Sequence, residues 1–177
     1  MPALSVVQKF QAIADALAGS GGYADGANLV RFPSETDEQY DRRKVVAWYA
    51  NDLLPACQRF TGFLAMRPPL RETGNPLLID FLDDCNWRGD QIDVFWQSFM
   101  IDALARGSML LLVDMPRILP ASQAAQREQR AFPFFTPIAP ERVTQFRLDA
   151  RGRLTFVEIA DTLDDGQPVT RGWDAAH

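Results

Sequence analysis

The hydrophobic pattern changes period once along the chain. Up to Gly107 apolar residues recur every three to four positions, the spacing of one helix face, and beyond it they run together or alternate as strand residues do. Leu4, Val7, Phe10, Ala14 and Leu17 predict a short amphipathic helix, with Gly19 where a C-terminal cap belongs. The four glycines between Gly19 and Gly26 then read as a flexible linker unable to support helix or strand. Residues 1–28 are thus expected to be an N-terminal helix and linker, and residues 29–177 the main domain.

Ser34, followed by Glu35 and Asp37, predicts a helix start with negative charge on the positive end of the helix dipole. Val45, Tyr49, Leu53, Cys57, Phe60 and Leu64 make one apolar stripe of a long helix. Pro55 removes a backbone donor inside it, so a kink or a break is expected near Asn51 to Leu54, and Pro68-Pro69 ends it. Asn75-Pro76 opens a short helix from Leu77 to Asp84, and Asp90 with Asp93 opens another. That next helix carries Ile92, Phe95, Trp96, Phe99, Met100, Ala103 and Leu104 and stops at Gly107, a position for a left-handed cap.

The apolar run Ser108 to Asp114 fits a central strand covered on both faces. Residues 115–131 are polar or contain proline and predict an exposed loop or a solvated helical turn. Pro133 and Pro137 confine the extended stretch Phe132 to Ile138 to a sheet edge or a partly paired segment. Val143 to Leu148 and Leu154 to Ile159 alternate about Asp149-Ala150-Arg151-Gly152, the mark of a β-hairpin. The expected fold class is α+β: N-terminal helices, one of them long and kinked near Pro55, packed on a small, mostly antiparallel sheet with a C-terminal hairpin.

Composition narrows the function classes. At 177 residues, 47% hydrophobic and 23% charged, the chain is expected to form one globular domain. Its 18 basic and 23 acidic residues leave a net charge of -5, which argues against binding nucleic acid through summed charge. Lys9 and Lys44 are the only lysines, and the resulting excess of arginine suits planar, bidentate pairing with carboxylates. The apolar run Met109 to Val113 is five residues, far short of the roughly 20 that a membrane span needs. Gln8, Lys9, Gln11 and Asp15 interrupt any signal-peptide core, so a cytoplasmic protein is expected, with Cys57 and Cys85 both free.

Candidate chemistry is sparse. The only histidine is His177, so a Ser-His-Asp or Cys-His arrangement would depend on the last residue. The glycine-rich segment lacks the Gly-Lys-Ser/Thr of a phosphate loop. Asp84-x-Asn86-x-Arg88-Gly89 has the look of a calcium loop, but Arg88 and Phe95 stand where oxygen ligands are required. Arg88-Gly89-Asp90 is a chance tripeptide. Trp48, Tyr49, Phe60, Phe63, Trp87, Phe95, Trp96 and Phe99 read as core packing, and Arg42-Arg43-Lys44 as partners of Glu35, Asp37, Glu38 and Asp41. No catalytic, cofactor-binding or metal site is expected; an enzyme would have only Asp83, Asp84 and Asp90 to offer.

The order of elements is more telling than any one motif. Tyr40-x-x-Arg43 opens the long helix, Asn51 lies on it, and Gly62-x-x-x-x-Arg67-Pro68-Pro69 ends it. Phe81-Leu82-x-Asp84, Gly89-x-x-Ile92-x-x-Phe95 and Ala103-Leu104-x-x-Gly107 follow, leading into Leu111-Leu112-Val113-Asp114-x-Pro116. Phe132-Pro133-Phe134 and Pro137-Ile138-Ala139-Pro140-Glu141-x-Val143-x-x-Phe146-Arg147 precede the hairpin. In this order and spacing, from Tyr40 to Ile159, the chain resembles the N-terminal part of tailed-bacteriophage portal proteins. Phe146 stands where such families more often carry Trp.

The resemblance implies the peripheral wing of a portal, a structural protein of a phage or prophage. Its stem helices, clip and tunnel loop have no counterpart in the chain, which is therefore expected to be a fragment of a longer protein. Portals form a ring of about twelve copies at one capsid vertex. DNA is packaged and ejected through it, and terminase, head-tail connector proteins and the capsid protein dock to it. The implied locations are the host cytoplasm during assembly and then the virion, with no membrane partner and no cofactor. DNA would pass the ring without being bound by this region. The signature residues Arg67, Pro68, Pro69, Gly89, Gly107, Asp114, Pro116, Pro140 and Glu141 are then determinants of fold rather than of catalysis. The alternative is a head-tail adaptor or another small protein-interaction domain.

Overall fold

The computed structural model describes residues 5–116, 120–162 and 168–174, so Leu4 and His177 lie outside the described residues. Helix α1 (Val6–Ala18) begins in a capping box. The Ser5 hydroxyl accepts from the Gln8 amide at 3.2 Å, and the Gln8 side chain accepts from Ser5 N at 2.9 Å. Gly19 closes it in the left-handed conformation, at φ 66°. The glycine run after it differs from an open linker. Gly21–Tyr23 form a 3-10 turn, and the Tyr23 ring lies 4.5 Å from that of Tyr49, a contact that supplies the order glycine does not.

Helix α2 (Asp37–Val46) starts two residues after the expected Ser34 to Glu35 cap. Thr36 and Gln39 make a second capping box, with Thr36 Oγ1 accepting from Gln39 N at 3.3 Å and Gln39 Oε1 from Thr36 N at 3.0 Å. Glu35 turns instead to Arg43.

The expected long, kinked helix is two separate helices, α2 and α3 (Leu53–Leu64), with Ala47 extended between them. Asn51 lies off the helices. Its side chain donates to Leu17 O at 2.8 Å and accepts from Leu54 N at 3.2 Å, tying the start of α3 to the end of α1. Pro55 falls in the first turn of α3, where a missing N–H leaves no helical bond unmade, so the chain breaks before the proline, the alternative to a kink expected near Asn51 to Leu54.

Helix α4 (Pro76–Asp83) opens as expected, with Asn75 Oδ1 accepting from Leu77 N at 3.1 Å. Helix α5 (Ile92–Arg106) has Gln91 rather than Asp90 at its N-cap and ends at Gly107, left-handed at φ 77°. The core lies between α4, α5 and a two-stranded sheet. Cys85, Ile92 and Phe95 are buried at its centre, with Phe81, Leu82, Trp96, Phe99, Leu111 and Phe135 packed around them. The Phe81 and Phe135 rings meet edge to face at 5.0 Å.

Strands β1 (Leu110–Asp114) and β2 (Phe134–Ile138) pair antiparallel, Leu112 opposite Thr136. The expected central strand is therefore one of two edges, and Val113 is exposed. Its apolar run is covered where Leu111 meets the core and emerges where it approaches Pro116. The short helix α6 (Gln123–Glu128) stands in the stretch expected to be a loop or solvated turn.

Strands β3 (Val143–Leu148) and β4 (Leu154–Thr162) form the expected hairpin, with Gly152 at φ 76° in its turn. The Asp149 carboxylate organises that turn, accepting from Arg151 N at 2.8 Å and from Arg153 N at 2.9 Å. Strand β5 (Pro168–Asp174), absent from the sequence reading, adds a third antiparallel strand on β4. The architecture is mixed α+β, helices followed by two small antiparallel sheets.

Candidate functional site

Among the described residues, carboxylates gather most closely in the loop between α4 and α5. Asp84 accepts from Gly89 N at 2.8 Å and pairs with Arg130. Asn86 donates to Asp90 at 2.7 Å and accepts from Arg88 N at 3.0 Å, while Cys85 N donates to Asp90 O at 3.0 Å. Asp83 faces solvent. Asp83 and Asp84 line one open hollow with Asp80, Arg127 and Arg130, and Asp90 lines another with Asn86 and Asp102. Among the described residues no group of three or more His, Cys, Asp or Glu side chains could hold a metal ion.

Two features of this loop have no signal in the sequence. Trp87 adopts a left-handed backbone, φ 61°, unusual for a large residue, and its ring lies 4.4 Å from that of Phe134. Cys85 is wholly buried, donates its thiol to Asp90 O at 3.4 Å, and has its thiol pushed up by burial. A thiol in that state is a packing group rather than a nucleophile.

Arginine pairs brace the surface, as the arginine excess suggested. Arg43 holds Glu35 through two bonds of 2.7 Å, Arg71 holds Asp93 at 3.0 and 2.8 Å, and Arg127 holds Asp80 at 2.6 and 2.8 Å. Hydrogen bonding from those guanidinium groups holds the Glu35, Asp93 and Asp80 carboxyls below their ordinary range. Arg42 pairs with Glu38 and Lys44 with Asp41, as expected of the basic cluster on α2, whereas Asp37 pairs with Arg31 instead.

The signature residues do not assemble into one place. Arg67, Pro68 and Pro69 are exposed beyond α3, Gly89 sits in the acidic loop at φ 92°, and Gly107 caps α5. Asp114 ends β1 and accepts from Met115 N at 2.7 Å; Pro116 follows it. Pro140 and Glu141 start a 3-10 turn before β3. Glu141 alone gains a distant partner. It accepts from Arg106 Nε and Nη2 at 3.2 and 3.1 Å, and Asp102 binds the same guanidinium from one turn back on α5. Burial opposes the Arg106 charge, but the two carboxylates outweigh it and raise its affinity for the proton. This cluster joins the end of α5 to the start of the second sheet.

The most pronounced property of the molecule is its exposed apolar surface. Among the described residues ten hydrophobic side chains are buried, whereas 22 large ones are exposed. Several were expected in the core: Trp48 is 83% exposed, Phe63 67% and Phe60 55%, and Val45 and Leu64 of the anticipated stripe are exposed too. On α3 Cys57 and Thr61 are buried where the helix packs on α5, Leu64 lies beside Trp96 and Met100 of α5 at the edge of that contact, and Phe60 and Phe63 are left as an exposed apolar ridge. The stripe is visible in sequence. What periodicity does not tell is whether the cover comes from the same chain or another.

A folded chain of 19.9 kDa exposes about 8,700 Å² by the usual scaling of surface with mass. This one exposes 12775 Å². No protein-family model matches the chain, and no curated protein is found to match it.

Proposed function

We propose that this chain is a structural assembly module, the wing region of a phage or prophage portal subunit, and that it works by contact with neighbouring subunits rather than by catalysis. The observation that carries the reading is the exposed apolar surface. Large exposed apolar patches mark protein contact sites, and here Trp48, Phe63 and Phe60 are 83%, 67% and 55% exposed.

The rest of the geometry suits that role. The Cys85–Phe95 core and the Arg106–Glu141–Asp102 cluster make a stiff body joining helices to sheets. The arginine pairs fix surface loops at defined positions. A net charge of -5 lets DNA slide past a conduit wall without adhering to it. The order of elements from Tyr40 to Ile159 supports the portal among possible assemblies. Among the described residues no helix is long and apolar enough to cross a membrane.

Negative-stain electron microscopy of the product of the complete reading frame, purified at micromolar concentration, tests the proposal. Rings of about twelve subunits around a central channel are expected. A product that stays monomeric removes the portal reading.

A further inference from the structure

Helix α6 and its flanks, residues 120–130, bring no buried side chain to the fold. A helix this short does not hold itself together in water. Its own bonds are local. Ser122 Oγ accepts from Ala125 N at 3.2 Å, the Gln126 side chain donates to Pro120 O at 3.0 Å, and Ala131 N donates to Gln126 O at 2.7 Å. Apart from that last bond, among the described residues the hydrogen bonds and ion pairs that leave the segment run to α4 and its C-cap alone. Arg127 holds Asp80 at 2.6 and 2.8 Å, and Arg130 pairs with Asp84. The two acids stand one turn apart and so do the two arginines, so the pairs form two parallel rungs. Both guanidinium side chains are half exposed, within reach of screening by salt.

The far end of the segment is fixed, since Ala131 and Phe132 are buried. Between that anchor and the helix stands Arg130 with a left-handed backbone, φ 52°, which a residue bearing a Cβ adopts at a cost. Two ionic rungs hold the segment down, and backbone strain at its hinge opposes them. The core is built without it: Cys85, Ile92 and Phe95, with the side chains packed around them, come from α4, α5, the loop between them and the first sheet.

We infer that residues 120–130 form a strap, latched on α4 by the Arg127–Asp80 and Arg130–Asp84 rungs, which swings open on the Ala131–Phe132 anchor without unfolding the body, ionic strength setting how often it does so. Opening bares the carboxylates Asp80, Asp83 and Asp84, which in the closed form line one hollow with the two arginines.

Hydrogen exchange of the complete protein at constant pH, read by mass spectrometry on a peptide spanning residues 123–131, tests the strap. Raising sodium chloride from about 50 mM to about 0.5 M is expected to speed exchange in that peptide by about twofold to fivefold, the range of an exposed ion pair, and to leave peptides of α5 unchanged. Asp80 is the acid to replace, because Asp84 also accepts from Gly89 N and shapes the loop. Asp80→Asn and Arg127→Gln should each speed exchange by a similar factor at low salt and blunt the salt response. The two together should do no more than either alone.

Exchange that ignores salt and both substitutions overturns the inference, since something other than the rungs then holds α6. Effects that add in the double variant overturn the pairing of Arg127 with Asp80 as the latch. Exchange already at the unprotected rate in low salt overturns it too, because the strap then never closes, and so does a salt effect shared equally by α5, which makes the opening global.

Discussion

Two glycines one element apart answer the same substitution with opposite signs. Gly107 stands at φ 77°, ψ -12° just past the end of α5, and an added Cβ there would find no heavy atom within 4 Å. The cost of Gly107→Ala is therefore purely conformational, about 1 to 2 kcal/mol for an L-residue held in the left-handed region. Gly62 lies in the last turn of α3 with right-handed backbone, and its added Cβ also meets nothing within 4 Å. Gly62→Ala removes backbone freedom from the unfolded chain and is expected to stabilise by about 0.5 to 1 kcal/mol. For a chain of 177 residues, with roughly 2 to 4 °C per kcal/mol, Gly107→Ala should lower Tm by about 2 to 8 °C and Gly62→Ala should raise it by about 1 to 4 °C. Urea unfolding at one fixed protomer concentration, with the midpoint read at constant slope, gives the free energies directly. A Gly107→Ala protein as stable as the wild type would refute the left-handed cap and with it the reversal of the chain from α5 into β1.

Four further outcomes are expected. Glu141→Gln leaves Arg106, 10% exposed at its side chain, with one carboxylate and should destabilise by about 1 to 3 kcal/mol in the same urea assay. The Thr61 hydroxyl is buried and finds no hydrogen-bond partner among the described residues, so Thr61→Val should stabilise by about 1 kcal/mol in thermal melts. Arginine hydrogen bonds depress the Glu35, Asp80 and Asp93 carboxyls, and amide bonds from Arg153 depress Asp149. Each contributes stability above the unfolded carboxyl value of about 4 that is lost as pH falls through the lower folded value, so chemical denaturation midpoints should drop below about pH 4 and stay flat from about pH 5 to 7. Cys85 should not react with a thiol reagent until the protein unfolds, since it is both enclosed and held as the thiol.

Local signals are most legible where one residue decides the backbone. Gly19, Gly107 and Gly152 take the left-handed conformations their positions imply, and Asn75-Pro76 opens α4. The start of α2 lies later than the acids around Ser34 suggest because Thr36-x-x-Gln39 makes a complete capping box. Of the kink or break expected near Asn51 to Leu54 the chain takes the break, over residues 47–52; proline in the first turn of α3 costs little, and Asn51 bonds to both α1 and α3. Strand β5 escapes a sequence reading because Pro168 and Gly172 dilute its alternation, and its pairing with β4 is non-local. For the candidate site, the apolar stripe of α3 is legible but its destination is not. Helical spacing shows that Phe60 and Leu64 share a side with Leu53; it carries no information on whether that side meets its own chain or another. The Arg106–Glu141 pairing spans 35 residues and leaves no local trace.

Native mass spectrometry of the product of the complete reading frame counts subunits directly and so tests most sharply whether the exposed surface is an assembly surface. One dominant species near twelve times the protomer mass is expected, which Phe63→Asp disperses into smaller ones. A wild-type protein that flies only as a monomer, at the same concentration and with the same exposed ridge, would contradict it.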